Sequence, residues 1–201
     1  MPIFLPTPQL RRLSAVPPFR IGRIPSGVAR KGVLAAGVLA VAMAGLVAVG
    51  ILLPGTVDVT RSIDIAAPPE RVFPLLNDLS AWDSWTPWAD IESRMEGPPA
   101  GQGARRTWDD PRMGAGSLTI TLSTPPSTVA YVVEVEDGAI RFEGTLSLAR
   151  RGDGSLVTWT ERADLGWNPL LGWTALGMEE SQGRQLEESL ARLRQQAESS
   201  P

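Results

Sequence analysis

The sequence predicts an α+β domain in which a curved antiparallel sheet of about six strands packs on one long C-terminal helix, preceded by a single transmembrane helix. Three observations support this fold class. Apolar and polar residues alternate in successive short runs between residues 57 and 163, which is the period of a strand. Leucines then recur at helical spacing, and residues 32–53 form an uninterrupted apolar segment of 22 residues.

The composition excludes several kinds of chemistry. The 201-residue chain has no histidine and no cysteine, which excludes disulfides, thiolate or imidazole metal sites, and Ser-His or Cys-His nucleophile pairs. All 22 acidic residues follow the apolar segment, whereas six basic residues precede it. Because the later part is acidic, we predict no nucleic-acid partner. We also predict no metal and no cofactor.

Residues 32–53 form the predicted transmembrane helix. At 1.5 Å per residue this segment spans roughly 33 Å, against a hydrocarbon core of about 30 Å. The positive-inside rule then places the N-terminus in the cytoplasm and the C-terminal domain across a bacterial inner membrane, in the periplasm or outside the cell. The alternative is a signal peptide cleaved at the Ala-Met-Ala sequence of residues 42–44. Residues 1–31 are predicted to be a disordered, basic, proline-rich tail.

Residues 57–198 form the predicted outer domain. Its first strand, 57–65, is followed by a helix that starts near Pro69, because proline suits the first turn of a helix. Pro74 lies inside this helix and lacks the N–H that the helix needs, which predicts a short or kinked element. A tryptophan-rich segment and a Gly/Pro-rich loop at 97–103 come next.

Five further strands form a predicted meander. Their alternating runs lie near residues 105–108, 117–123, 129–135, 140–148 and 156–163. Asp137-Gly138, between two of these runs, is typical of a hairpin turn. A helical pattern with leucines at i, i+4 and i+7 then begins at Pro169. A sheet that curls over this helix leaves an elongated apolar cavity, where we expect the function.

Glycines interrupt the start of the last predicted helix at positions 172, 177 and 183. Each glycine costs about 1 kcal/mol relative to alanine in a helix. Two interpretations are open. Either sheet, loop or ligand approaches the helix closely at these points, or the helix begins later, near Met178.

The order of several short segments along the chain shows a family resemblance. These segments are 59–63, 67–73, 76–78, 82–88, 157–160 and 168–172. Together they resemble the START-like superfamily, in particular its polyketide cyclase/dehydrase-like SRPBCC proteins, over roughly residues 57–197. The resemblance implies a helix-grip fold and a deep pocket for a hydrophobic small molecule or lipid. It implies no particular reaction.

Aromatic residues dominate the predicted ligand-binding set. Tryptophan combines a large apolar body with one N–H, which suits a ligand pocket. We single out Trp159 in a strand and Trp173 at the start of the last helix. For Trp82, Trp85 and Trp88 as a group, core packing is favoured over direct ligand contact. The full set of predicted ligand-binding residues is Trp85, Trp108, Tyr131, Phe142, Trp159, Trp173 and Met178.

Three function classes are open at this point. The first is a membrane-tethered domain that binds a hydrophobic ligand. The second is a cyclase or dehydratase that uses Glu161 or Tyr131, because a carboxyl group inside an apolar cavity has a raised pKa and can transfer protons. The third is a protein-interaction module with an exposed tryptophan patch. Strand alternation assigns Arg141 and Glu143 to the solvent face, and no catalytic residue is assigned.

Overall fold

The computed structural model describes residues 26–53, 55–166 and 169–199. Its first element is helix α1, Ser26–Leu52. Within the described residues, this is the one helix long and apolar enough to cross a membrane, over Val33–Leu52. The predicted basic tail lies outside the described residues up to position 25. The helix starts earlier than the predicted position 32, because the prolines of that tail end immediately before Ser26.

Seven antiparallel strands form one sheet in the order β1-β7-β6-β5-β4-β3-β2. The strands are β1 Thr56–Ile65, β2 Ser93–Glu96, β3 Arg105–Asp110, β4 Gly114–Thr124, β5 Thr128–Val135, β6 Ile140–Arg151 and β7 Gly154–Asp164. Six of them correspond to the predicted strands. The additional strand, β2, pairs with β3 at one edge of the sheet. Its four residues carry no apolar alternation, so the sequence pattern gives no signal for it.

The predicted hairpin between β5 and β6 is confirmed. Both Asp137 and Gly138 have positive φ angles, 55° and 85° respectively. This left-handed backbone is the conformation for which an Asp-Gly pair is suited. The turn sets the register in which Val135 faces Ile140.

Two further helices pack on this sheet. Helix α2 is Pro69–Asn77 and α3 is Pro169–Ser199. Helix α2 has only nine residues and contains Pro74, as the sequence predicts. Because α3 starts at Pro169, a later start near Met178 is excluded. A Cβ atom at Gly183 would lie 2.0 Å from a guanidinium nitrogen of Arg61, so this glycine does mark a close approach from β1.

The core lies between the inner face of the sheet and one side of α3. Leu186, Leu190 and Leu193 of α3 are buried, as are Leu146 and Val157 on the sheet. Each such side chain contributes roughly 1.5–3 kcal/mol on burial. The sheet curves around the helix in a helix-grip α+β fold, and the two separate enough near one end to leave a cavity.

Candidate functional site

A cavity of about 290 Å³ lies between the inner face of the sheet and α3. Its aromatic wall consists of Trp82, Trp88, Tyr131, Phe142 and Trp159. Leu118, Met113, Val133, Val135, Thr86, Pro87 and Glu161 complete the sheet and loop side. The helix side consists of Met178, Ser181, Gln182, Gln185 and Leu186. The site is therefore mostly apolar, with few polar groups.

Strand alternation places the polar groups of the wall. In β7, Val157, Trp159 and Ala163 are buried on the inner face, and Glu161 occupies the same alternate positions. In β5, Tyr131 lies on the inner face for the same reason. A carboxyl group on this face leaves water for an apolar environment, which is costly unless a partner satisfies it.

Tyr131 provides that partner from two strands away. In the sheet register Tyr131 of β5 faces Gly144 of β6, and Gly144 in turn faces Glu161 of β7. A Cβ atom at position 144 would lie 2.0 Å from Cζ of Tyr131. Gly144 therefore lets the tyrosine ring lie flat across β6, where its hydroxyl donates a hydrogen bond to Oε1 of Glu161.

Trp159 extends this pair into a chain of hydrogen bonds. Its indole Nε1–H donates to the Tyr131 hydroxyl at 2.8 Å. Desolvation by burial raises the pKa of Glu161, and the hydrogen bond from Tyr131 opposes this rise. The pKa of Tyr131 is raised well above its usual value, first by burial and then by the adjacent Glu161 charge. Tyr131 therefore acts as a neutral donor at ordinary pH.

Trp82 in the wall and Trp85 behind it are fixed by their indole N–H groups. Trp82 donates to the carbonyl of Leu76 at 2.9 Å, and Trp85 donates to that of Leu75 at 3.1 Å. Both carbonyls lie in the last turn of α2, where helix geometry leaves them without partners in the helix. The Trp82 ring then packs edge-on against Tyr131, with ring centroids 5.1 Å apart.

A buried cation supports the outer part of the wall. Arg106 is only 3% exposed and forms an ion pair with Asp83. Its Nε–H donates to the Ser93 hydroxyl at 2.7 Å, and its guanidinium lies 5.5 Å from the centre of the Trp88 ring. Arg106 therefore contacts Trp88 without being a lining residue of the cavity.

Four of the predicted ligand-binding residues lie on the cavity wall, namely Tyr131, Phe142, Trp159 and Met178. The other three do not. Trp85 is fully buried and packs behind Trp159, with ring centroids 5.6 Å apart. Trp108 packs against Trp88 at 4.8 Å, and Trp173 is 37% exposed on α3. The position of a residue in a strand or a helix does not by itself show whether its side chain lines the cavity or lies outside it.

Sequence reasoning missed three residues of the site. Trp82 and Trp88 line the cavity, although core packing was the favoured interpretation for both. Trp82 in fact does both, since it is buried and also forms part of the wall. Gly144 was also missed, but an isolated glycine inside a strand pattern is a signal of close approach. As predicted, Arg141 lies on the other face, where it is partly exposed and pairs with Glu134 at 2.8 Å.

Within the described residues, no group of three or more acidic side chains is placed to hold a metal ion. The side chains that line the cavity give it three chemical capabilities. It can exclude water, present aromatic faces, and accept or transfer a proton at Glu161. These are properties of a small-molecule site.

Comparison with known proteins places this architecture in a family. Residues 56–198 match the family described as polyketide cyclase/dehydrase and lipid transport. This match extends over most of the chain and includes every strand and all of α3 except its last residue. No curated protein matches the chain in sequence.

Solved structures of low sequence identity share the fold. Protein CV1439 from Chromobacterium violaceum is 19% identical with a TM-score of 0.52, covering 74% of this chain and 100% of its own. A protein from Nitrosospira multiformis is 21% identical with a TM-score of 0.52, covering 71% and 97% respectively. Hypothetical protein jhp0584 from Helicobacter pylori is 11% identical with a TM-score of 0.55, covering 70% and 88%. At these identities the likeness concerns the fold alone.

Proposed function

The chain belongs to the polyketide cyclase/dehydrase and lipid transport family, and from this premise we propose that it binds a hydrophobic small molecule or lipid at a membrane. The binding site is the cavity between the sheet and α3. The proposal rests on the composition of the cavity wall. Five aromatic side chains form most of it, and among the described lining residues the titratable groups are Tyr131 and Glu161, which are hydrogen-bonded to each other. Apolar walls with a few placed polar groups are typical of small-molecule sites.

The size of the cavity limits the ligand. A volume of about 290 Å³ is at the lower end of the range of about 300–1,000 Å³ that small-molecule pockets occupy. A compact ring system or one end of a longer lipid fits this space. Exposed Met113 and Gln185 on the lining provide an open side through which a longer chain extends.

Helix α1 supports a membrane location for this activity. Its 20-residue apolar span, Val33–Leu52, is long enough to cross a bilayer. With the basic residues in front of it, the positive-inside rule places the N-terminus in the cytoplasm and the binding domain on the outer side of a bacterial inner membrane. A domain held there meets hydrophobic molecules that partition into that membrane.

Proton-transfer catalysis is a second candidate function, favoured by one specific observation. The carboxyl group of Glu161 lies at the cavity wall with a raised pKa, which is the property of a general acid or base that works near neutral pH. In a cyclase or dehydratase, Glu161 would exchange the proton and Tyr131 would orient the carboxyl group. Under this function Glu161→Gln abolishes turnover while ligand binding persists.

The first experiment titrates the full-length chain, extracted in mild detergent and stripped of bound lipid, with a panel of lipids and aromatic polyketides. Quenching of intrinsic fluorescence reports binding, because Trp82, Trp88 and Trp159 lie on the wall. The proposal expects saturable quenching by at least one compact apolar compound. Failure of the whole panel to bind contradicts it. Turnover of a bound compound by the wild type, lost in Glu161→Gln, identifies the enzyme.

A further inference from the structure

The charge of the cavity lining restricts the class of ligand. No lysine or arginine is found among the described lining residues, and the one acidic residue there is Glu161. The cavity therefore offers nothing to neutralise an anionic ligand, and a carboxylate ligand would face the Glu161 carboxylate at short range. Like charges in a desolvated site repel each other more strongly than they do in water.

The aromatic wall favours a cationic ligand. Ring faces carry negative electrostatic potential, so indole and phenol rings attract a cation placed over them. Tyr131 contacts the carboxyl group of Glu161, and Trp159 and Trp82 contact Tyr131, with the Trp82 and Trp159 ring centroids 6.4 Å apart. A positive group inside the cavity is therefore attracted both by the aromatic rings of the wall and by Glu161.

The hydrogen bonds around Glu161 leave it able to accept a ligand group. Within the described residues, its one hydrogen-bond donor is Tyr131, which binds Oε1. The Tyr131 hydroxyl accepts a hydrogen bond from Trp159 and donates one to Glu161, so both of its roles are filled within the chain. A carboxylate has about four acceptor sites, and those not used by Tyr131 are free for a donor on the ligand.

From the lining we infer that the ligand is a compact aromatic or alicyclic amine, with its ammonium group against Glu161 and its apolar body between Phe142 and Met178. This inference rests on the proposed function, because it names the ligand class of the same cavity. A neutral alcohol also donates to Glu161, but it gains less from the ring faces than a cation does. The observations therefore favour an amine.

Among the described residues around the cavity, Glu161 is the group that we expect to lose a proton when an amine binds. From β5 it faces Tyr131, which stays neutral because its pKa is raised. From β1 the nearest inner-face charge is Arg61, which is paired with Glu187. The residues of α3 that line the cavity are Met178, Ser181, Gln182, Gln185 and Leu186, and none of them is charged. An ammonium group therefore stabilises ionised Glu161, and its binding releases a proton.

The test uses three probes with one apolar body: 2-(2-naphthyl)ethylamine, 2-(2-naphthyl)ethanol and 2-naphthylacetic acid. Each is titrated calorimetrically into the full-length chain in nanodiscs of zwitterionic lipid, with empty nanodiscs as the blank. We expect the amine to bind about tenfold more tightly than the alcohol, and the acid to bind least. Amine binding should also release protons, measured as a dependence of the heat on the buffer, and should tighten as pH rises from about 5 to 8.

Two variants make the result specific. Glu161→Gln keeps an acceptor for Tyr131 but removes the charge, so it should lose about tenfold in amine affinity and clearly less in alcohol affinity. A near-ultraviolet circular dichroism spectrum like that of the wild type shows that the variant is folded. Glu143→Gln makes the same change on the exposed outer face and should bind all three probes like the wild type.

The outcomes separate the two proposals. If the acid binds as tightly as the amine, or if Glu161→Gln leaves amine affinity unchanged, the amine inference is wrong while the cavity remains a binding site. If the alcohol binds tightest, the ligand is a neutral donor and the inference is also wrong. If none of the probes binds and the lipid and polyketide panel is also negative, the proposed function itself fails.

Discussion

The phenol of Tyr131 donates a hydrogen bond to the carboxylate of Glu161 from two strands away, across the backbone of Gly144. This contact needs three residues in one row of the sheet: a donor, a residue without a side chain and an acceptor. It places the titratable groups of the cavity at one point on an otherwise aromatic wall. The amine-binding and proton-transfer hypotheses therefore both depend on the same three residues.

Gly144→Ala should break this arrangement. The added methyl group would overlap the Tyr131 ring, so the ring must move away from Glu161. We expect a loss of about 1–3 kcal/mol in the free energy of unfolding, which is the usual cost of overpacking. Urea denaturation measures it, and near-ultraviolet circular dichroism reports the displaced aromatic ring.

Gly177→Ala is the matched control for this prediction. A Cβ atom at Gly177 would meet no atom within 4 Å, and the residue lies inside α3. Alanine there should be neutral or should stabilise by up to about 1 kcal/mol, because it favours the helix. Equal stability of the Gly144→Ala variant and the wild type would contradict the close approach of Tyr131.

The stability of the protein should depend on pH through Glu161. Its pKa is raised in the folded state from 4.5, so the unfolded chain ionises first as pH rises. The folded wild type then binds more protons than the unfolded chain, and it loses stability as pH rises from the unfolded value through the folded one. Glu161→Gln does not titrate, so its stability relative to the wild type should rise as pH increases above 4.5 and should level off once the folded carboxyl group is ionised. If the stability difference between Glu161→Gln and the wild type did not change with pH, our account of Glu161 as a buried carboxyl group with a raised pKa would be wrong.

The ion pair between Arg106 and Asp83 should respond unequally to loss of either partner. Arg106 is 3% exposed, whereas the Asp83 side chain is 43% exposed. Asp83→Asn leaves a buried charge without its counter-ion and should cost about 3 kcal/mol. Arg106→Met leaves an aspartate that water can solvate, and a side chain that still packs on Trp88, so it should cost less than about 1.5 kcal/mol.

An exposed pair provides the comparison for this asymmetry. Asp64 and Arg151 are each about two-thirds exposed and lie 2.8 Å apart. Asp64→Asn should therefore cost less than about 1 kcal/mol, as is usual for surface ion pairs. Denaturation midpoints of the three variants give the ranking. If Arg106→Met were more destabilising than Asp83→Asn, our account of the buried charge would be wrong.

Helix α1 should remain attached to the domain. If α1 spans the membrane, the chain keeps its full mass and stays in the membrane fraction after alkaline carbonate washing. A reporter enzyme that works only outside the cytoplasm should be active when fused after residue 201. A shortened mass that starts just after residue 44, with release of the domain, would instead support a cleaved signal peptide.

The fold could be predicted from sequence because its elements carry strong local patterns. The strict alternation of β5 and β7 determines which residues face inward, and Asp137-Gly138 determines the hairpin between β5 and β6. The leucine spacing of α3 identifies the covering helix. Strand β2 is the exception, since an edge strand of four residues is formed by pairing with β3 rather than by its own pattern.

The site was less predictable because it depends on register and depth. Alternation places Tyr131 and Glu161 on the inner face, but only the pairing of β5, β6 and β7 brings them together. Likewise, Trp85 and Trp88 lie three residues apart in one segment, yet one packs behind the wall and the other forms part of it. The hydrogen bond that holds Trp85 runs to the Leu75 carbonyl in the last turn of α2, a long-range contact that spacing along the chain does not reveal.

The most direct test of the central claim is native mass spectrometry of the full-length chain, gently released from membranes, beside two variants. Val135→Phe fills part of the cavity, whereas Val132→Phe adds the same bulk on the other face of β5. We predict a stoichiometric apolar adduct on the wild type and on Val132→Phe, and its loss from Val135→Phe. An equal adduct on all three proteins, or none on any of them, would contradict the account of the cavity as the binding site.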